Sequence, residues 1–389
     1  MPKRSPASNW KNRFIYANRK SFIHELLHWR FLLTLTALLT LSSWLSHFWI
    51  LQYAGLASMD VFATVQPTQV AERSRIVSIG EQEYETYFDA RSPLEPQKLV
   101  WAIGKILELQ PAVLAVDIDT SPSQYLHMAV PETKAPIVWA RDARAVGGEL
   151  RPKAVLGNRD VDPPHWGLAV LPYSLDWTVR TYPRMFRVGG RNWSSFHWAI
   201  VMAYCSGNSD PQCPPKTDTE MDAGELSVPT FHHRYQIPNI PLADILVQGS
   251  LPPDNNPVRN KIVLLGGYYG SDEHPTPFGP VRGVELIATA VESEFEPQGQ
   301  MQNLTKYGLK IVLALLIAWL HHTLRPRYAL LATLLFLGSL ILAGSYIAFR
   351  VSAYRADFMP FLIGIWIEQQ FESTERAHQS QKRPLHRAE

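Results

Sequence analysis

The sequence predicts an α/β fold, with a mainly parallel or mixed sheet flanked by helices and tied to membrane-spanning segments. Three observations lead there. Short apolar runs without polar alternation, residues 112–118 (AVLAVDI) and 261–265 (KIVLL), read as strands buried on both faces. Apolar residues recur at helical spacing over 96–109 and 283–295, so each such strand has an amphipathic helix beside it. Finally, the long uncharged apolar windows fall towards the two ends of the chain and leave a proline-rich globular middle.

Residues 31–51 (FLLTLTALLTLSSWLSHFWIL) carry no formal charge. A helix of that length spans the roughly 30 Å hydrocarbon core of a bilayer. Lys3, Arg4, Lys11, Arg13, Arg19, Lys20 and Arg30 precede it, which makes residues 1–30 a cytoplasmic basic arm. A cleaved signal peptide competes with this reading, but its apolar region is shorter and its basic region briefer.

Residues 52–305 then form one exported, periplasmic block. A first strand is predicted over 74–80. The helix 96–109 begins at Pro96 and aligns Leu99, Ile103 and Ile106. With the strand 112–118 it completes a strand-helix-strand unit of the length a parallel crossover needs. Further strands are expected at 136–140, 167–171, 185–188 and 231–237. Helices are expected at 195–204 and 242–247, and a surface loop at 221–230. The block closes with residues 260–295: a strand, the Gly266-Gly267 turn, a polar loop, and a helix that puts Val284, Ile287, Ala288 and Val291 on one face.

Three more spans follow, at 306–324, 328–349 and 356–371. Arg325 and Arg327 mark the loop between the first two as cytoplasmic. Arg376, Lys382, Arg383 and Arg387 do the same for the tail, 372–389. One crossing followed by three puts both termini in the cytoplasm of a bacterial inner-membrane protein.

Net charge is +2, which gives no general electrostatic case for nucleic acid. The two cysteines, Cys205 and Cys213, both lie in the exported block, where a close pair suggests a disulfide, with two free buried thiols as the alternative. No phosphate-binding loop, zinc-protease helix or nucleophile elbow occurs, and Gly266-Gly267 lacks the dinucleotide-binding spacing. No cofactor and no enzyme class follow from these motifs.

Candidate binding residues sit at strand ends. Asp117 and Asp119 close the 112–118 strand with side chains on one face, and Ser121 follows. Gly266 and Gly267 end another strand, followed by Asp272, His274 and Thr276. Open α/β sheets bind ligands outside the carboxyl ends of their strands. If the two strands are neighbours, one crevice holds these residues, and its oxygens suit Mg²⁺, Ca²⁺, or a cationic or polyhydroxylated ligand. The bland alternative is helix capping by Asp119, Thr120 or Ser121. Glu285 reads as a first-turn acid complementing the helix dipole. Trp166, Trp177, Trp193 and Trp198 suit either a pocket wall or core packing. His232-His233 and His321-His322 make poor chelates by geometry.

The closing stretch resembles the CHASE type-2 family of extracytoplasmic sensory domains. The matching residues are Lys261 to Gly266, Asp272, Thr276-Pro277, and Gly283-Val284-Glu285-Leu286-Ile287-Ala288. Arg282 stands where Pro is usual, and Ile287 and Thr289 where His and Asn are common. The resemblance implies the same one-plus-three membrane plan and a sensory role coupled to a cyclase, kinase or similar output. The residues after Phe371 are too few for such a module, so a separate signalling partner is expected, and a homodimer is compatible with this plan. Two other classes fit the same residues. One is a membrane-anchored hydrolase using a divalent metal on Asp117, Asp119 and Asp272. The other is a scaffold binding another protein.

Overall fold

The structure, a computed structural model, describes residues 60–146, 149–158, 165–208, 210–214, 231, 233–247, 256–270 and 272–296, with a few isolated positions elsewhere. The chain divides into two compact units, Ala63–Gln298 and a second formed by Met1–Phe62 with Gly299–Glu389. The expected spans 31–51, 306–324, 328–349 and 356–371 lie outside the described residues, isolated positions apart. So do the arm 1–30, the tail 372–389, the loop 221–230, His232 and the pair His321-His322. Among the described residues, no helix is long and apolar enough to cross a membrane.

In chain order the elements of the first unit begin with β1 (Gln69–Val70), β2 (Ser74–Ile79), α1 (Glu81–Phe88), α2 (Pro96–Glu108), β3 (Val113–Asp117) and β4 (Ile137–Arg141). Then come β5 (Ala143–Val146), β6 (Glu149–Pro152), β7 (Trp166–Leu168), β8 (Met185–Val188), β9 (Arg191–Ser194) and α3 (Phe196–Gly207). The unit ends with β10 (Tyr235–Gln236), β11 (Asn239–Pro241), α4 (Leu242–Val247), β12 (Ile262–Gly267), β13 (Glu273–Thr276), β14 (Gly279–Arg282) and α5 (Gly283–Glu294).

A six-stranded sheet in the order β11-β2-β12-β3-β4-β7 forms the centre, and every pairing in it is parallel. The two apolar runs that predicted the fold, β3 and β12, are the neighbours in its middle. Both faces are covered, as their lack of polar alternation requires. Val77, Leu114, Val116, Val263 and Leu265 pack with Leu99, Ile103 and Ile106 of α2 and with Leu242 and Ile245 of α4. Ile76, Val113, Ala115, Ile262 and Leu264 pack on the other face, with Ile200 and Val201 of α3 and Val284, Ala288 and Val291 of α5.

Several expectations need correction. Glu81–Phe88 is a helix that the apolar pattern does not predict; its polar sequence hides the start, where the Glu83 carboxylate accepts the Gly80 amide at 3.0 Å. The strand at 167–171 shrinks to Trp166–Leu168, and the one at 231–237 to Tyr235–Gln236, which pairs with β1 outside the main sheet. Met185–Val188 is a strand, but it forms an antiparallel hairpin with β9 and does not join the sheet. The polar loop after β12 is itself a hairpin, β13–β14. It holds Pro275 and Pro280, which a two-stranded ribbon tolerates at free edges, where a missing N–H costs no ladder bond.

Candidate functional site

The parallel register places Gly266 of β12 beside both Ser78 of β2 and Asp117 of β3, so three central strands end at one rim. Asp117 shares its face with Val113 and Ala115, the face covered by α3 and α5. Gly266 lets α5 come close there: a Cβ on it would lie 2.6 Å from Cγ2 of Val284. The first turn of α5 therefore opens directly over the rim.

The β13–β14 hairpin brings Asp272 and His274 to the same point. His274 Nε2 lies 2.9 Å from Asp272 Oδ1, and the Tyr173 hydroxyl lies 2.6 Å from His274 Nδ1. The tautomer that satisfies both bonds carries its proton on Nε2. Gly283, the first residue of α5, donates its amide to the Asp272 carbonyl at 3.3 Å. A Cβ at Gly283 would lie 2.7 Å from Asp272 Oδ2 and 3.3 Å from His274 Nε2, so the pair is seated against the helix start. The bond from His274 holds the Asp272 carboxyl below its usual value despite burial, with help from the Gly283 amide.

Asp117 behaves oppositely. Burial at the strand end and then the Asp272 charge push its carboxyl up to about 7, with His274 opposing. Among the described residues, no hydrogen bond or ion pair reaches that carboxylate. It is an acid at the mouth of the site with no partner among the described residues.

The remaining expected residues separate from this group. Asp119 lies beyond the end of β3 and turns away: it accepts from the Ser121 amide at 2.9 Å and from Lys153 Nζ at 3.1 Å. Lys153 also pairs with Asp142. Ser121 thus serves a local turn. Strand alternation stops applying once the strand ends, which is why the shared face predicted for Asp117 and Asp119 does not extend to a shared site. Gly267 lies against the ring of Tyr269. Thr276 closes the hairpin, donating to the Gly279 carbonyl at 2.6 Å and accepting from the Phe278 amide at 3.1 Å. Glu285 accepts from the Tyr268 hydroxyl, whose ring carries the Arg282 guanidinium 4.7 Å from its centre.

Tyr173 was missed because its partner is 101 positions away and nothing local marks it. The tryptophans mostly serve the interior. Trp166 and Trp193 enclose the buried Arg141 guanidinium at 4.5 and 5.3 Å, and Trp198 lies under Arg184 at 4.4 Å. Trp177 is the exception, exposed at the tip of the loop that carries Tyr173. His233 is buried within 3.7 Å of Glu296. Among the described residues, no three His, Cys, Asp or Glu side chains converge as a metal would require.

Cys205 and Cys213 are joined, with Cα atoms 5.8 Å apart.

A sequence model of the CHASE2 domain matches residues 32–322, most of the chain. The match begins inside the first apolar window and ends inside the second. No curated protein and no solved structure matches the chain.

Proposed function

This chain belongs to the CHASE2 domain family, and from that premise we propose that it is an inner-membrane sensor whose periplasmic α/β unit binds a ligand at the rim where β3, β12 and α5 meet. Domains of the family are extracytoplasmic and sensory, and they are not catalytic. The observation that carries the choice of site is Asp117. It is a strand-end carboxylate with no partner among the described residues, beside the Asp272–His274–Tyr173 chain and under the first turn of a helix. A group held in that state gains from a ligand that supplies a proton or a positive charge. The position is also the one that parallel sheets use for binding.

Helix α5 gives the site a route outwards. It starts at the rim and its twelve residues cover about 18 Å to the opposite end of the sheet. There the chain continues towards the apolar segment 306–324. A ligand that shifts the first turn of α5 therefore shifts the point where the chain leaves the unit. Such a shift can be read at the membrane segments or the cytoplasmic arms.

The test is a thermal-shift screen of the full chain in detergent micelles against small cations, sugars and short peptides. A compound that binds as proposed raises the melting temperature of the wild type and loses its effect in both Asp117→Asn and Asp272→Asn. A compound that stabilises all three proteins equally would place the ligand elsewhere.

A further inference from the structure

The described unit receives its chain and returns it at one end. β2 begins there at Ser74 and α5 finishes there at Glu294. The buried Glu292 carboxylate ties the two together: its Oε1 accepts the backbone amides of Arg73 at 2.8 Å and Ser74 at 2.5 Å. Arg73 makes a second tie, because its guanidinium lies over the ring of Phe295, 4.7 Å from the centre. Two donors of that guanidinium go to the loop closed by Cys205 and Cys213, while Nη1 lies 4.0 Å from Glu72 Oε2. Nε donates to Asp210 Oδ2 at 3.1 Å and Nη2 to Gln212 Oε1 at 2.5 Å. Bonds within the loop hold both acceptors in place. Asp210 Oδ1 accepts the Gln212 amide at 2.9 Å, and the Cys213 amide donates to the Asp210 carbonyl at 3.1 Å.

We propose that the Cys205–Cys213 disulfide is a redox-controlled clasp. Closed, it holds Asp210 and Gln212 on Arg73 and so fixes the incoming strand against the outgoing helix; opened by a dithiol, it releases both. The bond is reachable. Both cysteines are half-buried, and Ser206, Gly207, Asn208, Pro211 and Gln212 around them are exposed. It spans eight positions at the end of α3, so the six-stranded sheet does not depend on it. A thiolate of the dithiol attacks one sulfur, the Cys205–Cys213 bond breaks, and a mixed disulfide forms. The second thiol of the dithiol then displaces the cysteine. Two electrons and two protons pass to the cysteine pair, and the dithiol leaves as its own disulfide. Without the ring, the Asp210–Arg73 contact must compete with water as an ordinary surface ion pair. The Arg73 guanidinium then keeps only the Phe295 ring and the exposed Glu72 carboxylate.

Hydrogen exchange on the full chain in detergent micelles tests this, before and after dithiothreitol under otherwise native conditions. In the reduced chain, amides of segments 69–76 and 289–296 exchange at least about tenfold faster, as loss of a charge-assisted contact implies. Amides of β3 stay unchanged. Asp210→Asn, with the disulfide intact, produces the same acceleration, as does the double variant Cys205→Ser/Cys213→Ser. Acceleration confined to residues 205–214 would overturn the proposal. So would a silent Asp210→Asn beside an active reduction, or a bond that resists dithiothreitol until the whole unit unfolds.

Discussion

Asp117 ends a strand whose four preceding residues are fully buried, and its own carboxyl is the least satisfied acid of the rim. Unfolded, it ionises near 3.8; folded, at about 7. Folding thus favours the protonated form, so this contribution is intact below about 3.8 and is lost as pH rises through about 7. Asp117→Asn stays neutral throughout. It should gain stability over the wild type on the order of a few kcal/mol between about pH 5 and about pH 8, measured as melting temperature across that range. A variant that follows the wild type at every pH would remove the strain assigned to this carboxylate. Glu294 has the opposite sign. Burial pushes its carboxyl up, but His197 at 3.4 Å and Arg184 at 2.7 Å outweigh it and hold it below the ordinary 4.5. Its contribution is present above 4.5 and is lost as pH falls through the folded value. Glu294→Gln should cost about 3 kcal/mol at neutral pH by stranding the Arg184 charge, and should flatten the acid limb of the stability curve. Urea titrations at neutral and acid pH read both effects.

Helix α5 meets the sheet at Gly266, where the absent side chain is the space that Val284 fills. Gly266→Ala puts a methyl against a buried β-branched residue with one favoured rotamer, at an expected cost of about 2 kcal/mol. Because the contact lies at the first turn of α5, the same variant should displace Asp272 and His274 and abolish ligand-induced stabilisation. A urea midpoint equal to that of the wild type would mean that α5 can yield there. The disulfide loop should matter less to the fold as a whole. Closing eight positions restrains the unfolded chain by about 2.5 kcal/mol, so Cys205→Ser/Cys213→Ser should remain folded and melt earlier. The elements that sequence patterns missed share one property. α1 is polar, and the hairpins β5–β6 and β13–β14 and the strand β9 are short and stand outside the main sheet. They bury too little apolar surface to leave a periodic trace.

For the molecule as a whole, the membrane plan makes its own prediction. Reporter fusions after Gln52 and after Thr305 should read outside the cytoplasm, and fusions at Pro326 and Glu389 inside. A C-terminal fusion that reads outside would remove the span at 356–371 and with it the one-plus-three plan. Both flanks of the α/β unit leave it at the end where Glu292 joins Arg73 and Ser74.

The sequence by itself determined the parts that depend on local pattern and bulk solvent preference. Those are the two unalternating strands and the amphipathic α2 and α5 that cover them. Each follows from which side chains must leave water, and that can be read along the chain without knowing who meets whom. Tertiary structure decided which residues meet at the candidate site. Asp117 and Asp119 are two residues apart, yet one faces Asp272 and His274 while the other is drawn to Lys153, because alternation governs side chains only as far as the strand runs. Tyr173 reaches His274 from another loop, and Asp210 reaches Arg73 across 137 positions. A polar side chain can be satisfied by any of many donors or acceptors, and only the folded geometry selects which one lies within about 3 Å.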